Sequence, residues 1–329
     1  MDAATEQVEQ RDGGQGRAAA MRLCVLGSGS RANCTAVHTV GPDGRVSLCL
    51  IDLGFSPRMT DRLLRQVGLS LDMVTAVLLT HLDSDHCHAG WCFSGAGAGT
   101  TEQPCRLPRD AAVFLHEGHL QRAYSRGLNG GRLQKFGGER GRRGPVFVAC
   151  ERAGSPISVQ PLMTFHDDLG AAVFRVQLGG EDAPAFGYAT DLGRVTDELI
   201  DHLRDDRARG LDGVDALVIE SNYCPRMQVA SDRPEFLKRR VMGGRGHLSN
   251  QEALEAVEAI APREHVVLVH LSQQCNNPAL VASMHVGAGY TLTVSSQDEP
   301  TRWVPVRRLA RTEIVTRPRR RGAQLSLWG

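Results

Sequence analysis

The chain has 329 residues, 41% of them hydrophobic, which is enough apolar material for a full core in one large domain or two modest ones. Its formal net charge is +1, so no overall electrostatic attraction to nucleic acid or membrane is expected. Lysine occurs only at Lys135 and Lys238, so arginine, which binds phosphate as a bidentate fork, supplies nearly all the positive charge, a bias that a GC-rich genome also produces.

Short apolar runs predict ten strands, and three segments predict helices. The run 74–80 is almost continuously β-branched and aliphatic, as expected for a strand buried on both faces. Helices are predicted over 57–68, over about 195–205, and from Ser249, where Ser249 and Glu252 have the spacing of a capping box. In chain order the predicted strands are 21–26, 46–51, 74–80, 112–116, 146–148, 157–161, 172–177, 186–190, 216–220 and 265–270.

These elements predict one compact domain over residues 21–306. Residues 1–20 are polar and rich in glycine and alanine, which predicts a disordered lead-in. Residues 307–329 are arginine-rich and interrupted by proline, which predicts a flexible tail. The stretches 92–110 and 127–145 are rich in glycine and predict long loops, which in compact domains are often functional or mobile.

The cysteines and the apolar runs together indicate a cytoplasmic protein. Nine cysteines, an odd number, form no CxxC pair, which is typical of free thiols in a reducing compartment. The first twenty residues contain no apolar segment of the kind found in a signal peptide. No apolar run reaches the length of a membrane span, so no membrane association is expected.

A dense group of metal-binding residue types follows the buried strand 74–80. His81, Asp83, Asp85 and His86 lie within six residues. Alternate residues of an extended loop point to the same side, so His81, Asp83 and Asp85 can share a face, with His86 reaching from the adjoining turn. A polar surface loop is the alternative, because histidine and aspartate are common there, but such a density directly after a buried strand favours a metal site.

Three further candidates occupy matching positions elsewhere. His166, Asp191 and His270 each follow a predicted strand or apolar segment. A single histidine at the end of a strand is usually structural. Together with the first group, however, the three residues predict a centre that holds one or two cations.

The arrangement resembles the metallo-β-lactamase superfamily, whose first motif is HxHxDH, followed by a later histidine, a bridging aspartate and a final histidine. The resemblance covers roughly residues 21–290. It implies an α/β (α+β) fold, a four-layer αββα sandwich of two mixed sheets with the site at the edge between them. In the implied ligand sets, His81, Asp83 and His166 hold one metal, Asp85, His86 and His270 hold the second, and Asp191 bridges both.

Asp83 departs from the family motif, which has a histidine at this position. A carboxylate there favours iron, manganese or zinc with mixed ligation over an all-nitrogen zinc site. Two divalent ions a few ångströms apart would lower the pKa of a bridging water and generate hydroxide near neutral pH. Asp85 would orient this nucleophile while also binding metal.

Additional motifs resemble the YycJ/WalJ-type branch of the superfamily, which is associated with DNA exonuclease activity. The GH and HLS pair is also similar to transfer-RNA 3′-processing nucleases, which implies His247 as the proton donor and His270 as the ligand. The two roles could be exchanged, and a turn before a helix is the structural alternative for His247. The motifs are 26–34, 189–193, 219–222, 246–250 and 270–272 with Asn276 and Asn277.

Several residues near these motifs are candidates for binding substrate. The turn 27–30 could cradle a phosphate with its backbone N–H groups and hydroxyls, or be only a tight turn. Glu220 and Asn222 could orient ligand histidines or cap a loop. The basic run 238–240 and Arg245 could bind a phosphodiester backbone or form a solvated helix face. The candidate substrate contacts are Ser28, Ser30, Asn33, Asn222, Arg245 and Asn250.

The tail ends in a segment that looks like the bacterial sliding-clamp-binding pentapeptide QL[SD]LF, with tryptophan in place of phenylalanine. A short apolar and aromatic anchor on a flexible tether suits docking into a groove, although so short a match also arises by chance. If it binds a clamp, it places the protein at replication or mismatch repair. The residues concerned are Gln324, Leu325, Ser326, Leu327 and Trp328.

Three functions remain from the sequence. The preferred one is a metal-dependent phosphodiesterase acting as a DNA exonuclease. The second is hydrolysis of a small thioester, lactone or lactam, since the same fold serves all of these. The third is a non-catalytic DNA- or clamp-binding protein with a metal site weakened by Asp83.

Overall fold

The computed structural model describes residues 19–91, 107–128, 132–151, 156–180, 182–205 and 212–308. The expectations for the lead-in before residue 19, for 92–106 and for the tail from 309 onward lie outside the described residues. Among the helices that are described, none is both long enough and apolar enough to cross a membrane.

In the part of the chain that the structure describes, the first sheet has seven strands, in the order β14-β1-β2-β3-β4-β5-β6. Its first three strands and β14 pair antiparallel, whereas β3 to β6 pair parallel. The strands are β1 (Ala20–Gly27), β2 (Cys34–Val40), β3 (Val46–Ile51), β4 (Val74–Leu78), β5 (Ala112–His116), β6 (Leu133–Phe136) and β14 (Val304–Val306).

The second sheet also has seven strands, in the order β13-β12-β11-β10-β9-β8-β7. Here β7 to β10 pair antiparallel and β10 to β13 pair parallel. The strands are β7 (Phe147–Cys150), β8 (Ile157–Met163), β9 (Ala172–Leu178), β10 (Ala185–Ala189), β11 (Ala216–Glu220), β12 (His265–Val269) and β13 (Thr291–Val294).

Seven α-helices are described, and their caps are local sequence features. Ser56 caps the first, accepting a hydrogen bond from the Met59 N–H at 3.4 Å. Ser249 and Glu252 form the predicted capping box at the start of the sixth. The helices are α1 (Pro57–Gln66), α2 (Leu120–Ser125), α3 (Asp197–Leu203), α4 (Pro225–Ala230), α5 (Glu235–Met242), α6 (Asn250–Ile260) and α7 (Pro278–Met284).

The alternation of side chains along the strands creates the layers. In β1, Leu23 and Val25 face a central core shared by both sheets, whereas Cys24 and Leu26 face the helices outside the first sheet. Each buried leucine contributes about 1.5–3 kcal/mol of transfer free energy to these contacts. Helices α3, α6 and α7 cover the outer face of the second sheet. The predicted four-layer αββα sandwich of two mixed sheets is therefore confirmed.

The structure adds elements that the apolar patterns did not predict. The stretch 127–145, predicted as a loop, contains β6, a short edge strand whose Gln134 and Lys135 are exposed. At the other end, Arg308 forms ion pairs with Asp212 and Asp215. The chain thus stays attached through the second residue of the predicted tail.

Candidate metal centre

The candidate ligands lie at strand ends from both sheets. In the first sheet, β3 and β4 run parallel, and the segment carrying His81 and His86 follows β4. In the second sheet, β10, β11 and β12 run parallel and lead to Asp191, Glu220 and His270. The two sheets bring these ends together, because His86 Nε2 lies 2.9 Å from Asp191 Oδ2.

Three residues that lie just beyond the ends of strands adopt left-handed backbone conformations. Asp52, Asp191 and His270 have φ values of 61°, 53° and 58°. For a residue with a Cβ this conformation costs about 1–2 kcal/mol, and such strain persists where the surroundings hold it. Around His270 the N–H donates to Ser28 Oγ at 2.8 Å and the carbonyl accepts from Asn222 Nδ2 at 2.8 Å. The strain turns each side chain sharply into the centre.

Three groups of candidate ligand atoms share Asp191. One of them joins Asp191 with Glu220, His247 and His270 and keeps His247 as an alternative ligand, and the other two match the sets that the resemblance implies. Asp85, His86, Asp191 and His270 form one group and His81, His166 and Asp191 form another, each with its ligand atoms within 4.8 Å of one another. A carboxylate common to both groups is the arrangement that a bridging ligand requires. The structure thus brings together six of the seven residues that the family resemblance implied as ligands.

Asp83, the seventh, lies at the margin of the centre. Its Oδ2 is 3.9 Å from His81 Nε2, and it groups with His166 and Asp167 rather than with Asp191. Its Oδ1 accepts an ion-paired hydrogen bond from Arg122 at 2.9 Å. The carboxylate at the position of the family's histidine is therefore paired with the guanidinium of Arg122 as well as lying near the centre.

Hydrogen bonds to Nδ1 determine which ring nitrogen is free in three of the candidate ligand histidines. Thr80 Oγ1 lies 2.9 Å from both oxygens of Asp52, so its hydroxyl donates there and accepts from His81 Nδ1 at 3.0 Å. His86 Nδ1 donates to Asp52 Oδ2 at 2.7 Å. In the same way, His166 Nδ1 donates to the Gly246 carbonyl at 3.1 Å. All three rings consequently present an Nε2 lone pair to the centre.

This donor set fits divalent cations. His81 Nε2 is buried without a hydrogen-bond partner among the described residues. The lone pair of His86 Nε2 faces the carboxylate of Asp191, an arrangement that is repulsive unless a cation or a proton lies between them. Mixed imidazole and carboxylate ligands suit zinc, manganese and iron.

The electrostatics of the centre agree with this chemistry. Burial by itself would raise the pKa of Asp191, but His270 and His86 hold it well below its usual value. Burial would lower the pKa of His270, but the carboxylates of Asp191, Asp85 and Glu220 raise it to about 10. The protein thus concentrates negative charge at a place where bound cations would replace the protons of the histidines.

Glu220, which the sequence left as an open alternative, orients His247 and lies beside His270. Its Oε1 accepts hydrogen bonds from the Leu192 and Leu248 N–H groups at 2.6 and 3.2 Å. Its Oε2 lies 3.1 Å from His247 Nδ1 and 3.5 Å from His270 Nδ1. Because Nδ1 of His247 is occupied in this way, its Nε2 is the ring nitrogen left for another group.

Most of the predicted substrate contacts are buried and already bonded. Ser28 Oγ donates to Asn33 Oδ1 at 2.6 Å, and Asn33 Nδ2 lies 3.0 Å from His86 Nε2. Asn250 Oδ1 accepts from Ser221 Oγ at 2.7 Å, and Asn222 holds the carbonyl of His270. These contacts position the ligand loops. Of the six candidate substrate contacts, the exposed ones are Ser30 and Arg245.

Asp52 was missed by the sequence analysis, although a signal for it exists. It directly follows β3, the strand that pairs parallel to β4. The following Gly54 permits this loop to contact the metal-binding segment, because a Cβ there would lie 1.9 Å from the Asp85 carbonyl oxygen. An acidic residue two positions before a glycine, at the end of a buried strand, is the pattern that could have revealed it.

An open cleft of about 490 Å³ leads to the centre. His81, Asp83 and His166 lie on its inner side. Its walls carry two cationic side chains, Arg122 and Arg240. Three aspartates, Asp83, Asp167 and Asp168, also line it. Arg122 is paired with Asp83 and Arg240 with Asp167, so each arginine of the cleft is balanced by a carboxylate.

The fold and this ligand arrangement are similar to those of the metallo-beta-lactamase superfamily. A sequence profile of the metallo-beta-lactamase superfamily matches residues 28–95, which include the first group of candidate ligands. The resemblance inferred from the sequence motifs is confirmed.

Curated relatives extend the likeness over most of the chain. The chain is 27% identical over 269 residues to exodeoxyribonuclease YycJ of Bacillus anthracis, covering 81% of this chain and 88% of the relative. It is 23% identical over 292 residues to exodeoxyribonuclease WalJ of Streptococcus pneumoniae, covering 85% and 96%.

Solved structures share the fold at low sequence identity. The metallo-beta-lactamase fold protein YhfI from Bacillus subtilis superposes with a TM-score of 0.55 and 15% identity, covering 85% of this chain and 99% of that one. A long form RNase Z from yeast gives a TM-score of 0.50 and 11% identity, covering 86% and 41%.

Proposed function

We propose that the protein is a metal-dependent phosphodiesterase that degrades DNA from its ends. The observation that carries the proposal is the pair of ligand groups that share Asp191, with His81 and His166 of one group lining an open cleft. Two curated relatives that align over more than 80% of this chain are named exodeoxyribonucleases, which supports DNA as the substrate.

The proposed ligands are those that the family resemblance implies. His81, Asp83 and His166 would hold one ion, Asp85, His86 and His270 the other, and Asp191 both. Zinc, manganese or iron would suit this set. When bound, two divalent ions supply an activated water near neutral pH and offset the negative charge of the phosphate.

His247 is the proposed proton donor to the leaving oxygen. Its side chain is 21% exposed, and Glu220 Oε2 holds its Nδ1 at 3.1 Å. The buried carboxylate orients the ring, so that Nε2 is the atom that would pass a proton to the leaving oxygen. Asp85, at the edge of the centre, would accept a hydrogen bond from the attacking water and orient it.

A sliding-clamp contact is proposed separately for the tail. It is supported by the likeness of the segment Gln324–Trp328 to a clamp-binding pentapeptide. If the contact exists, it delivers the nuclease to DNA during replication or repair.

The first test is degradation of end-labelled single- and double-stranded DNA with added Mn²⁺, Zn²⁺ or Fe²⁺. His81→Ala and Asp191→Ala serve as controls, since both remove proposed ligands. Metal-dependent digestion that both variants lose supports the proposal and identifies the working ion. Intact DNA with every metal, from protein that still binds metal, would refute it and favour hydrolysis of a small ester or thioester.

A further inference from the structure

Helix α5 stands beside the centre and uses only one face for packing. Leu237 and Val241, four residues apart, contact a small apolar cluster that contains Tyr223 and Cys275. The chain then runs from α5 to Gly246, whose carbonyl accepts the hydrogen bond from His166. The carboxyl end of α5 is therefore the end nearer to the metal centre.

The opposite face of α5 carries an aromatic ring with no packing role. Phe236 is 73% exposed, which makes it the most exposed large apolar side chain of the described residues. It belongs to none of the buried clusters of the molecule. A single exposed apolar residue is ordinary on a protein surface, so the position of the ring decides what it can do.

Phe236 lies on the same face of α5 as Arg240, which lines the cleft. The two residues are four positions apart on α5, so they share a face at a separation of about 6 Å. Arg240 lines the cleft, and its Nη2 lies 2.6 Å from Oδ2 of Asp167, the residue after His166. Phe236 therefore lies one helical turn farther from the metal centre than a cation at the mouth of the cleft.

The charges on this face suit a phosphate backbone. Arg239 and Arg240 are exposed, and so is Arg245 shortly after the helix. Arg239 lies 3.5 Å from Oε1 of Glu235, an exposed pair that a phosphate can also replace. The pair of Arg240 with Asp167 has side chains that are 62% and 39% exposed, so it is weak and a phosphate can replace the carboxylate. An exposed aromatic flanked by arginines is the combination that binds unpaired nucleic acid by stacking and charge.

We infer that Phe236 and Arg240 form a platform on which the unpaired end of a DNA strand is held as it enters the cleft. A base stacks on the ring of Phe236, and the next phosphates contact Arg240 on the way to the metal centre. The inference rests on the proposed nuclease function, and it adds that the DNA segment bound at this surface is single-stranded. Blunt duplex ends, whose bases stack on one another, would not use this platform.

Binding of a fluorescent thymidine oligonucleotide, measured by anisotropy, tests the platform. Phe236→Ala should weaken binding about 5- to 100-fold, as expected for the loss of base stacking. Phe236→Trp should restore it, because a larger ring stacks at least as well. Arg240→Ala should also weaken binding and reduce the dependence of affinity on salt by about one phosphate contact. The unfolding midpoint of Phe236→Ala should equal that of the wild type, since the ring is exposed.

Tyr124→Ala is the matched control. Tyr124 is a 56% exposed aromatic on α2, the helix whose Arg122 also lines the cleft, but residues two apart do not face the same way. Equal affinity of the wild type and Phe236→Ala would overturn the platform alone, as would an equal loss in Tyr124→Ala. No oligonucleotide binding by the wild type would overturn the proposed DNA function together with the platform.

Discussion

At the scale of single residues, Asp52 acts on both ligand groups of the centre without being a ligand itself. It accepts hydrogen bonds from Thr80 and His86, and through Thr80 it also determines the tautomer of His81. One buried carboxylate thus orients a histidine of each ligand group. Partners that orient ligand histidines typically affect metal affinity by about 10- to 100-fold.

Asp52→Asn should therefore lower the affinity for both ions by about 10- to 100-fold, although it removes no ligand. An amide at this position can donate as well as accept, so it no longer fixes His86 Nδ1 as a donor or the Thr80 hydroxyl as the acceptor of His81 Nδ1. Competition with a chromophoric chelator measures the affinity. Asp298→Asn is the matched control, because Asp298 forms only an exposed ion pair with Arg31 at this surface. Unchanged affinity in Asp52→Asn would contradict the role of the carboxylate.

Asp83→His should shift the metal preference toward zinc. The substitution restores the imidazole of the family motif and removes a carboxylate that is now paired with Arg122 at 2.9 Å. An all-nitrogen set on this side favours zinc over manganese. Elemental analysis after equal exposure to both metals measures the ratio. A ratio identical to that of the wild type would show that Asp83 does not contribute to ion selection.

The sequence could predict most candidate ligands because each follows an apolar run or lies in a dense local cluster. The roles of Asp52, Ser28 and Asn33 could not be predicted in the same way. Asp52 acts on a loop that reaches it only because β3 pairs parallel to β4. Ser28 and Asn33 have side chains of the kind that can bind phosphate. Because both side chains are buried, Asn33 instead contacts His86, and Ser28 bonds to the backbone of His270.

At the scale of elements, the same limit applies to polar and marginal segments. Central strands such as β4 and β11 were visible as apolar runs because both of their faces are buried. The edge strand β6 and the short helix α5 present exposed polar residues, so their sequences resemble loops. The sequence of helix α5 shows only a basic run. The position of its exposed aromatic relative to the cleft depends on the tertiary structure.

Helix α3 contains a histidine that makes stability dependent on pH. His202 is buried and donates from Nε2 to the Gln160 carbonyl on β8 at 3.2 Å. Burial, reinforced by the charge of Arg143, lowers the pKa of His202 to about 3. The unfolded chain binds a proton there near pH 6.5, so this contribution is present above that pH and is lost as the pH falls toward 3.

His202→Gln should therefore flatten the loss of stability on acidification. Below pH 6.5 this one group lowers the free energy of unfolding by about 1.4 kcal/mol per pH unit, and glutamine does not titrate. Urea unfolding of both proteins at pH 7, 6 and 5 measures the difference in slope. The variant's stability at pH 7 acts as its own reference, so a general loss of packing does not affect the comparison. Parallel slopes would contradict the assignment.

At the scale of the whole molecule, the metal centre and the end of the described chain lie at opposite ends of the second sheet. Glu220, at the carboxyl end of β11, orients His247 and lies beside His270 of the centre. Arg308 pairs with Asp212 and Asp215, directly before β11 begins. A partner bound through the chain beyond Arg308 is thus attached at the end of β11 remote from the centre.

Ending the chain after Arg308 should therefore separate clamp binding from catalysis. The truncated protein keeps every proposed ligand and the Arg308 ion pairs, so it should degrade free DNA at the wild-type rate. It should lose binding to a purified bacterial sliding clamp, as should the full chain carrying Trp328→Ala, because the aromatic anchor supplies most of the contact in such grooves. Surface plasmon resonance measures the binding. Retention of clamp affinity by both proteins would refute the tail contact and leave the nuclease proposal intact, whereas slower degradation of free DNA by the truncated protein would show that the tail acts on the substrate itself.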